Sequence, residues 1–216
     1  MRLHKIAQGE YYHICNRGVE KKVIFHDSGD YWRFLFLVLY FQSETIFAQV
    51  GRAVEKFVKH RVLDNYGEIT KKRTVELVAF CIMPNHFHLI LKEVREGGIS
   101  VYMQRILNAY GKYYNTKYQK TGHVFQGPYR AVHIAENRQL LHVSAYIHRN
   151  PREMKGWFKK EKEYFWSSYQ DFVGNNRWGK LLVQDIISEQ FKNKGAYQRF
   201  VETSLTKLLE EELNVS

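Results

Sequence analysis

The stretch Thr74–Val94, TVELVAFCIMPNHFHLILKEV, decides the fold. Two runs rich in apolar and β-branched residues flank the pair Pro84-Asn85, and such a pair is typical of a tight turn between two strands. We therefore predict a β-hairpin whose strands cover Thr74–Met83 and His86–Val94.

Two histidines, His86 and His88, lie one residue apart in the second strand of this hairpin. Residues two apart on a strand share a face, so both imidazoles point one way while Phe87 and Leu89 point into the core. Two imidazoles on one strand can hold a metal ion, but such pairs also occur as ordinary core or surface histidines. A third group from elsewhere in the chain must decide between these interpretations, and its chemistry would select the metal.

The remaining elements extend the hairpin into an α+β pattern. We predict a strand over Glu10–Asn16, a helix capped by Asp30, a polar helix over Gln49–Leu63, a helix from Ser100 to about Tyr118, a strand at the end of GHVFQGPYRAVHI, and a helix over Glu136–Arg149. Without the second helix, the order is βαββαβ plus a further helix, which predicts a ferredoxin-like antiparallel sheet. We predict one domain over 1–180, with a helical insertion over 43–72, and a helical C-terminal extension over 181–216.

The charge balance favours a polyanionic partner. The chain carries 33 Lys and Arg against 22 Asp and Glu, a net charge of +11, and 15% of its residues are aromatic. Cations neutralise phosphates and aromatic rings stack on bases, so nucleic acid is the partner that this composition suits best. A basic protein without such a role would show the same totals, and charge alone does not separate the two.

The chain has no feature that predicts membrane insertion or disulfides. Its most apolar run, Tyr31–Phe41, is too short to span a bilayer, and no signal-peptide core begins the sequence. Cys15 and Cys81 each lie in an apolar stretch, and we interpret them as buried free thiols in the cytoplasm. No second cysteine is near either one, so we expect no zinc site of the cysteine type.

The helix over Glu136–Arg149 offers groups that would complete a metal site. Tyr146 and Asn150 are four residues apart and project from one face near its end. An amide oxygen beside two imidazoles suits Mg²⁺ or Mn²⁺ better than structural zinc. From periodicity alone, however, Tyr146 as a core residue and Asn150 as a helix C-cap before Pro151 are the simpler interpretation.

Four blocks in order, MPNHFHLIL, TGHVFQGPYRAV, SAYIHRNP and YFWSSYQDF, resemble the Y1 tyrosine transposases of the IS200/IS605 type, and most closely their REP-associated branch. The resemblance covers about residues 11 to 172. It implies that His86 and His88 form the HUH motif (His, hydrophobic, His), that Tyr146 is the single nucleophile, and that Asn150 is the third metal ligand. Pro128 departs from the pattern, since a basic residue is expected there.

The resemblance implies an enzyme that nicks and joins single-stranded DNA at hairpin-containing sites through a 5′-phosphotyrosine, with Mg²⁺ or Mn²⁺ as the cofactor, acting as a monomer or homodimer. A free tyrosine, with a pKa of roughly 10, needs such a cation to act at neutral pH. We further predict DNA contacts by Arg17, Arg130 and Arg149 and support of the metal ligands by His13 and His142. The alternative is a domesticated hairpin DNA-binding protein without strand-transfer activity. A histidine-metal hydrolase is disfavoured because no general-base carboxylate accompanies the pair.

Overall fold

The structure, a computed structural model, describes residues 6–44, 49–60 and 66–204. Within these residues, the strands β1 (Tyr11–Arg17), β2 (Val75–Met83), β3 (His86–Glu93) and β4 (Arg130–Ile134) form an antiparallel sheet in the order β2-β3-β1-β4. The helices are α1 (Ser28–Tyr40), α2 (Val50–His60), α3 (Tyr66–Lys71), α4 (Gly98–Tyr118), α5 (Asn137–Arg149), α6 (Tyr169–Val173), α7 (Asp185–Ser188) and α8 (Lys194–Thr203). The predicted α+β class, its antiparallel sheet and the central hairpin are confirmed.

Side chains of the sheet alternate between two cores, one on each face. Phe87 and Leu89 of β3 are fully buried in the core that α1 and α4 cover, as the strand period predicts. Ile90 lies in the other core, which α5, α6 and α8 cover. Because His86 and His88 are in phase with Ile90, both point toward the layer that contains α5.

The turn between β2 and β3 is tied to the segment that follows β1. The carbonyl of Pro84 accepts from the amides of Ile24 and Phe25 at 2.9 and 3.0 Å, and the carbonyl of Asn85 accepts from Gly18 at 2.8 Å. A Cβ at Gly18 would lie 2.3 Å from the Lys22 carbonyl oxygen, so only glycine fits there. The contact holds the end of β1 beside the histidine strand.

A buried polar link fixes α5 across the sheet. His148 Nε2 forms a hydrogen bond with Ser168 Oγ at 2.8 Å. His148 Nδ1 forms another with Tyr197 OH of α8 at 2.7 Å. Ser168 Oγ also accepts from the Phe80 amide of β2 at 2.9 Å. Burial lowers the pKa of His148 to about 3, so the imidazole is neutral and the link carries no buried charge. The rotation of α5 is therefore set by β2 on one side and α8 on the other.

The first helix begins three residues earlier than predicted. Its N-cap is Asp27, whose carboxylate accepts from the Asp30 amide, while the Asp30 carboxylate accepts from the Asp27 amide in return. The predicted cap at Asp30 is therefore wrong, because this reciprocal arrangement needs a second acidic residue three positions into the helix. Helix α4 likewise starts earlier, at Gly98, two residues before the predicted Ser100.

The predicted insertion and C-terminal extension both pack on the domain where they are described. Phe57 of α2 contacts Trp32 of α1 and Trp178 with ring centroids 5.6 and 6.2 Å apart. The amide of Val183 donates to the Leu77 carbonyl at 2.8 Å, which attaches the later segment to β2. Residues 45–48, 61–65 and 205–216 lie outside the described residues, and the limits at 43–72 and 180 stay predictions.

One buried carboxylate joins α1 to α4. Asp30 accepts from Lys117 Nζ at 2.7 Å, from the hydroxyls of Tyr113 and Tyr118 at 2.9 and 2.6 Å, and from the His26 amide at 2.8 Å. Burial raises the pKa of Asp30, but the hydrogen bonds outweigh it and the net shift is downward. The ionised carboxylate is thus the form that the fold stabilises.

We expect Asp30→Ala to lower the free energy of unfolding by about 3 kcal/mol at neutral pH, because Lys117 and two phenols lose their shared acceptor. Since the pKa of Asp30 is lowered on folding, its contribution is complete above the unfolded value of about 3.9 and is lost as the pH falls through the lower folded value. Urea unfolding over a pH series measures both effects.

Glu68→Ala is the matched control, since Glu68 forms an exposed pair with Lys72 at 3.3 Å. We expect this change to cost less than about 0.5 kcal/mol. An equal loss in the two variants would contradict the special role of Asp30.

Candidate functional site

The candidate site lies on the sheet face beneath α5. Cys15 of β1 and Cys81 of β2 are the cross-strand partners of His88, one on each side. His13 shares the face of Cys15, two residues along the same strand. The register therefore brings His13, one of the residues predicted to support the site, beside the histidine pair.

Both histidines of the pair have their Nδ1 atoms engaged. His88 Nδ1 lies 2.9 Å from His13 Nε2, with the two rings stacked, and His86 Nδ1 lies 2.7 Å from Asn85 Oδ1. The Asn85 amide is oriented by a second hydrogen bond, from its Nδ2 to the Lys21 carbonyl at 3.0 Å. Because Asn85 Oδ1 can only accept, a proton on His86 Nδ1 satisfies this contact and leaves a lone pair on Nε2.

Asn150 follows the last residue of α5 and begins a short 3-10 turn, Asn150–Glu153. Its Oδ1 lies 3.0 Å from His86 Nε2, and its Nδ2 is directed back to the Tyr146 carbonyl at 3.5 Å. In this orientation the amide oxygen accepts from Nε2 when that nitrogen carries a proton, and the two atoms can share a cation when it does not. Adjacent ligands of an octahedral ion at 2.0–2.1 Å are separated by about 3.0 Å, so the donor set fits Mg²⁺ or Mn²⁺.

Tyr146 lies one helical turn before Asn150 and over the same imidazoles. Its ring meets His88 edge to face at 5.4 Å between centroids and His13 at 6.1 Å. Only 6% of the residue is exposed, yet it lines the cleft described below. One copy of the chain thus contains the tyrosine and all three predicted ligands.

The imidazoles of this cluster are uncharged at neutral pH. Burial lowers the pKa of His13 to about 4, and the nearby Arg130 adds to the effect. Burial lowers the pKa of His88 well below its ordinary value, and His86 and His13 contribute. Burial also lowers the pKa of His86, and this effect is larger than that of the contact with Asn150, which raises it. Neutral imidazoles are the form that ligates metals.

A half-open cleft of about 490 Å³ opens over the cluster. Its lining residues are Cys15, Asn16, Arg17, Lys21, Asn85, His86, His88, Gln126, Pro128, Arg130, Tyr146 and Glu153. Three cations, Arg17, Lys21 and Arg130, stand against the single carboxylate of Glu153. Gln126 orients one of them, since its Oε1 accepts from Arg17 Nε at 3.0 Å. Such a lining suits a phosphate-bearing ligand.

Two predicted residues are not brought to the cleft. The Arg149 guanidinium donates to the carbonyl of Ser204, at the end of α8. The His142 ring packs on Phe200 of α8, with centroids 5.3 Å apart. Both face α8 because that helix packs along α5, which the sequence did not reveal.

Several contacts were not anticipated from the sequence. The sequence indicates only a turn role for Asn85. Its position immediately before His86 was the sign that it could contact that imidazole. Among the described His, Cys, Asp and Glu residues, a group close enough to share an ion is His13, Cys15 and His88, whose ligand atoms lie within 4.8 Å of one another. We expected no zinc site of the cysteine type, and that expectation did not consider a group that combines one thiol with imidazoles.

Comparison with known proteins agrees with the resemblance seen in the sequence. Residues 49–150 match the family described as IS200-like transposases, a span that includes His86, His88, Tyr146 and Asn150. The fold is similar to a solved REP-associated tyrosine transposase bound to a REP hairpin, with a TM-score of 0.54 and 15% identity over 86% of this chain and 92% of that one. No curated protein matches the chain.

The sequence predicts no membrane-spanning helix among the helices of this chain. In the part of the chain that the structure describes, none is both long enough and apolar enough to cross a bilayer.

We expect Asn85→Ala to release the proton of His86 from Nδ1. Without the Asn85 oxygen, Nδ1–H loses its acceptor while Asn150 Oδ1 still accepts at Nε2, so the His86 proton should shift toward Nε2 while His88 keeps its state. Nitrogen-15 NMR of the imidazoles measures this directly. Asn137→Ala is the control, because Asn137 bonds to Gln190 on the exposed side of α5. Unchanged His86 signals in Asn85→Ala would refute the assignment.

Proposed function

We propose that this protein is a transposase-type enzyme of the IS200-like kind, which nicks and rejoins single-stranded DNA at hairpin-containing sites by metal-dependent transesterification. The observation that carries the proposal is the 3.0 Å contact of Asn150 Oδ1 with His86 Nε2, one helical turn from Tyr146. The contact joins a residue of β3 to the residue that follows α5, 64 positions along the chain, and we propose that these two residues are metal ligands.

His86, His88 and Asn150 would hold the divalent cation. When bound, Mg²⁺ or Mn²⁺ supplies Lewis-acid polarisation of a phosphate oxygen. The contacts of Asn85 with His86 and of His13 with His88 engage the Nδ1 atom of each histidine and restrict the rotation of each ring. Ligands that are already oriented lose little rotational freedom when the ion enters.

Tyr146 would act as the nucleophile. Its hydroxyl oxygen attacks phosphorus, and the bond from phosphorus to the 3′ oxygen breaks. The phenol loses one proton, and the new 3′-hydroxyl gains one. The phosphodiester is retained as a 5′-phosphotyrosine, so a second 3′-hydroxyl reverses the step and joins new strands. Since the tyrosine and the proposed ligands of one copy lie next to one another, we propose that a single copy holds a complete site.

Arg17, Lys21 and Arg130 would bind the backbone phosphates that flank the scissile bond. They line the same cleft as Tyr146, His86 and His88. Hairpin DNA is proposed as the substrate because a structural neighbour, at low identity, is bound to a REP hairpin.

Tyr146→Phe should abolish formation of a covalent protein–DNA adduct. The test incubates the protein with Mg²⁺ and a labelled hairpin oligonucleotide and separates adducts under denaturing conditions. Removing one oxygen eliminates the nucleophile while the ring still packs on His88. Tyr114→Phe, on α4 behind the sheet, is the matched control and should form the adduct as the unmodified protein does.

An adduct that persists in Tyr146→Phe would refute the tyrosine assignment. Hairpin binding that ignores chelator, together with no cleavage by the unmodified protein, would instead indicate the domesticated binding protein. The two results are distinguishable in one assay, since binding and cleavage are read from the same labelled strand.

Arg17→Gln should reduce the salt dependence of DNA binding. If Arg17 contacts one phosphate of a single strand, the slope of log affinity against log salt concentration falls by about 0.7. Arg52→Gln is the control, since Arg52 is exposed on α2 in the opposite layer. Fluorescence anisotropy at several salt concentrations measures both, and equal slopes in the two variants would contradict the role of Arg17.

A further inference from the structure

His88 belongs to two different sets of metal-ligating groups. On one side it meets His86, with Asn150 beyond, a set of imidazole nitrogens and an amide oxygen. On the other side it meets His13 and Cys15 of β1, a set of imidazole nitrogens and a thiol. The first set suits hard cations such as Mg²⁺ and Mn²⁺, whereas the second suits softer ions that prefer nitrogen and sulfur.

We propose that His13, Cys15 and His88 form a binding site for Zn²⁺, and that zinc bound there withdraws His88 from the set that it forms with His86 and Asn150. The inhibitory half of this inference rests on the proposed function; the zinc site itself does not.

The distances suit such a site after small side-chain movements. The three ligand atoms lie within 4.8 Å of one another. Zinc bonds of 2.0–2.1 Å to nitrogen and 2.3 Å to sulfur, in a tetrahedron, put adjacent ligands about 3.3–3.6 Å apart. The closing movement is thus about 1.5 Å at most. His13 and Cys15 are neighbours on one strand face, and His88 is the direct cross-strand partner of Cys15, so the backbone need not move.

In the pair formed by His13 and His88, one ring nitrogen of His13 also lacks a hydrogen-bond partner among the described residues. His13 is fully buried, and its Nδ1 has no hydrogen-bond partner among the described residues. A buried polar group without a partner is costly, and coordination of an ion by the imidazole would supply a strong interaction there. The cleft gives access, because Cys15 and His88 both line it.

When zinc binds, the site loses one proton and one hydrogen bond. The Cys15 thiol releases its proton to solvent, and its sulfur ligates as a thiolate beside two neutral imidazoles. The hydrogen bond between His13 Nε2 and His88 Nδ1 breaks as these rings turn to the ion. Burial raises the pKa of Cys15 to about 11, so the thiol stays protonated until a cation enters.

Cobalt spectroscopy tests the site without reference to DNA. Co²⁺ bound by a thiolate gives a sulfur-to-metal charge-transfer band, which we expect in the full-length protein and not in Cys15→Ser. Cys81→Ser is the matched control, because Cys81 is the other cross-strand partner of His88 but is outside the group. It should keep the band. A band that persists in Cys15→Ser, or is lost only in Cys81→Ser, would overturn the proposal.

Zinc inhibition tests the sharing of His88. With Mg²⁺ held constant, the Zn²⁺ concentration that halves adduct formation should be about tenfold higher or more in Cys15→Ser than in Cys81→Ser, each measured against its own zinc-free rate. Equal sensitivity would overturn the competition. If no variant forms adducts, the proposed function fails while the cobalt result still decides whether the site exists.

Discussion

The antiparallel register of β1 against β3 is the constraint on which the site depends. It places Cys15 opposite His88 and His13 opposite Ile90, and so puts one imidazole of β1 within 2.9 Å of an imidazole of β3. A slip of one residue would turn every side chain of a strand to the other face and direct the histidines into the core with Phe87. The two hydrophobic cores prevent that slip, because each accepts only one of the alternating sets. Burial of apolar side chains, the largest stabilising force of the fold, thus also fixes the positions of its polar groups.

The second requirement is that α5 keep one rotation about its axis. The helix crosses the sheet with its apolar side in the core, which by itself permits small rotations. His148 removes that freedom, since it bonds on one side to Ser168, which is attached to β2, and on the other to Tyr197 of α8. A neutral imidazole serves well in this place because it offers one donor and one acceptor at fixed angles. Tyr197 of α8 therefore helps to orient the helix that carries Tyr146, although no described residue of α8 lines the cleft.

The sequence predicted what local periodicity determines. The hairpin around Pro84-Asn85, the opposite directions of His86 and Phe87, and a helix ending before Asn150 all follow from spacing within a few residues. It did not predict contacts that depend on distant packing. His13 was predicted to support the metal ligands, but its contact with His88 depends on the β1 register. The positions of Arg149 and His142 depend on α8, whose place on α5 no local pattern encodes. The cap at Asp27 was missed for a smaller reason, since two acidic residues three apart compete for the same role.

Because Asn150 directly follows the helix that carries Tyr146, the proposed nucleophile and the proposed oxygen ligand depend on the same element. A displacement of α5 would move Tyr146 away from His88 and Asn150 away from His86, while the sheet, Arg17 and Arg130 stay in place. If these residues act as proposed, changes confined to the contact of α8 with α5 would stop cleavage without altering the cationic residues of the cleft. An intact hydrogen bond between His148 and Tyr197 is then a condition for a working site in addition to the histidine motif.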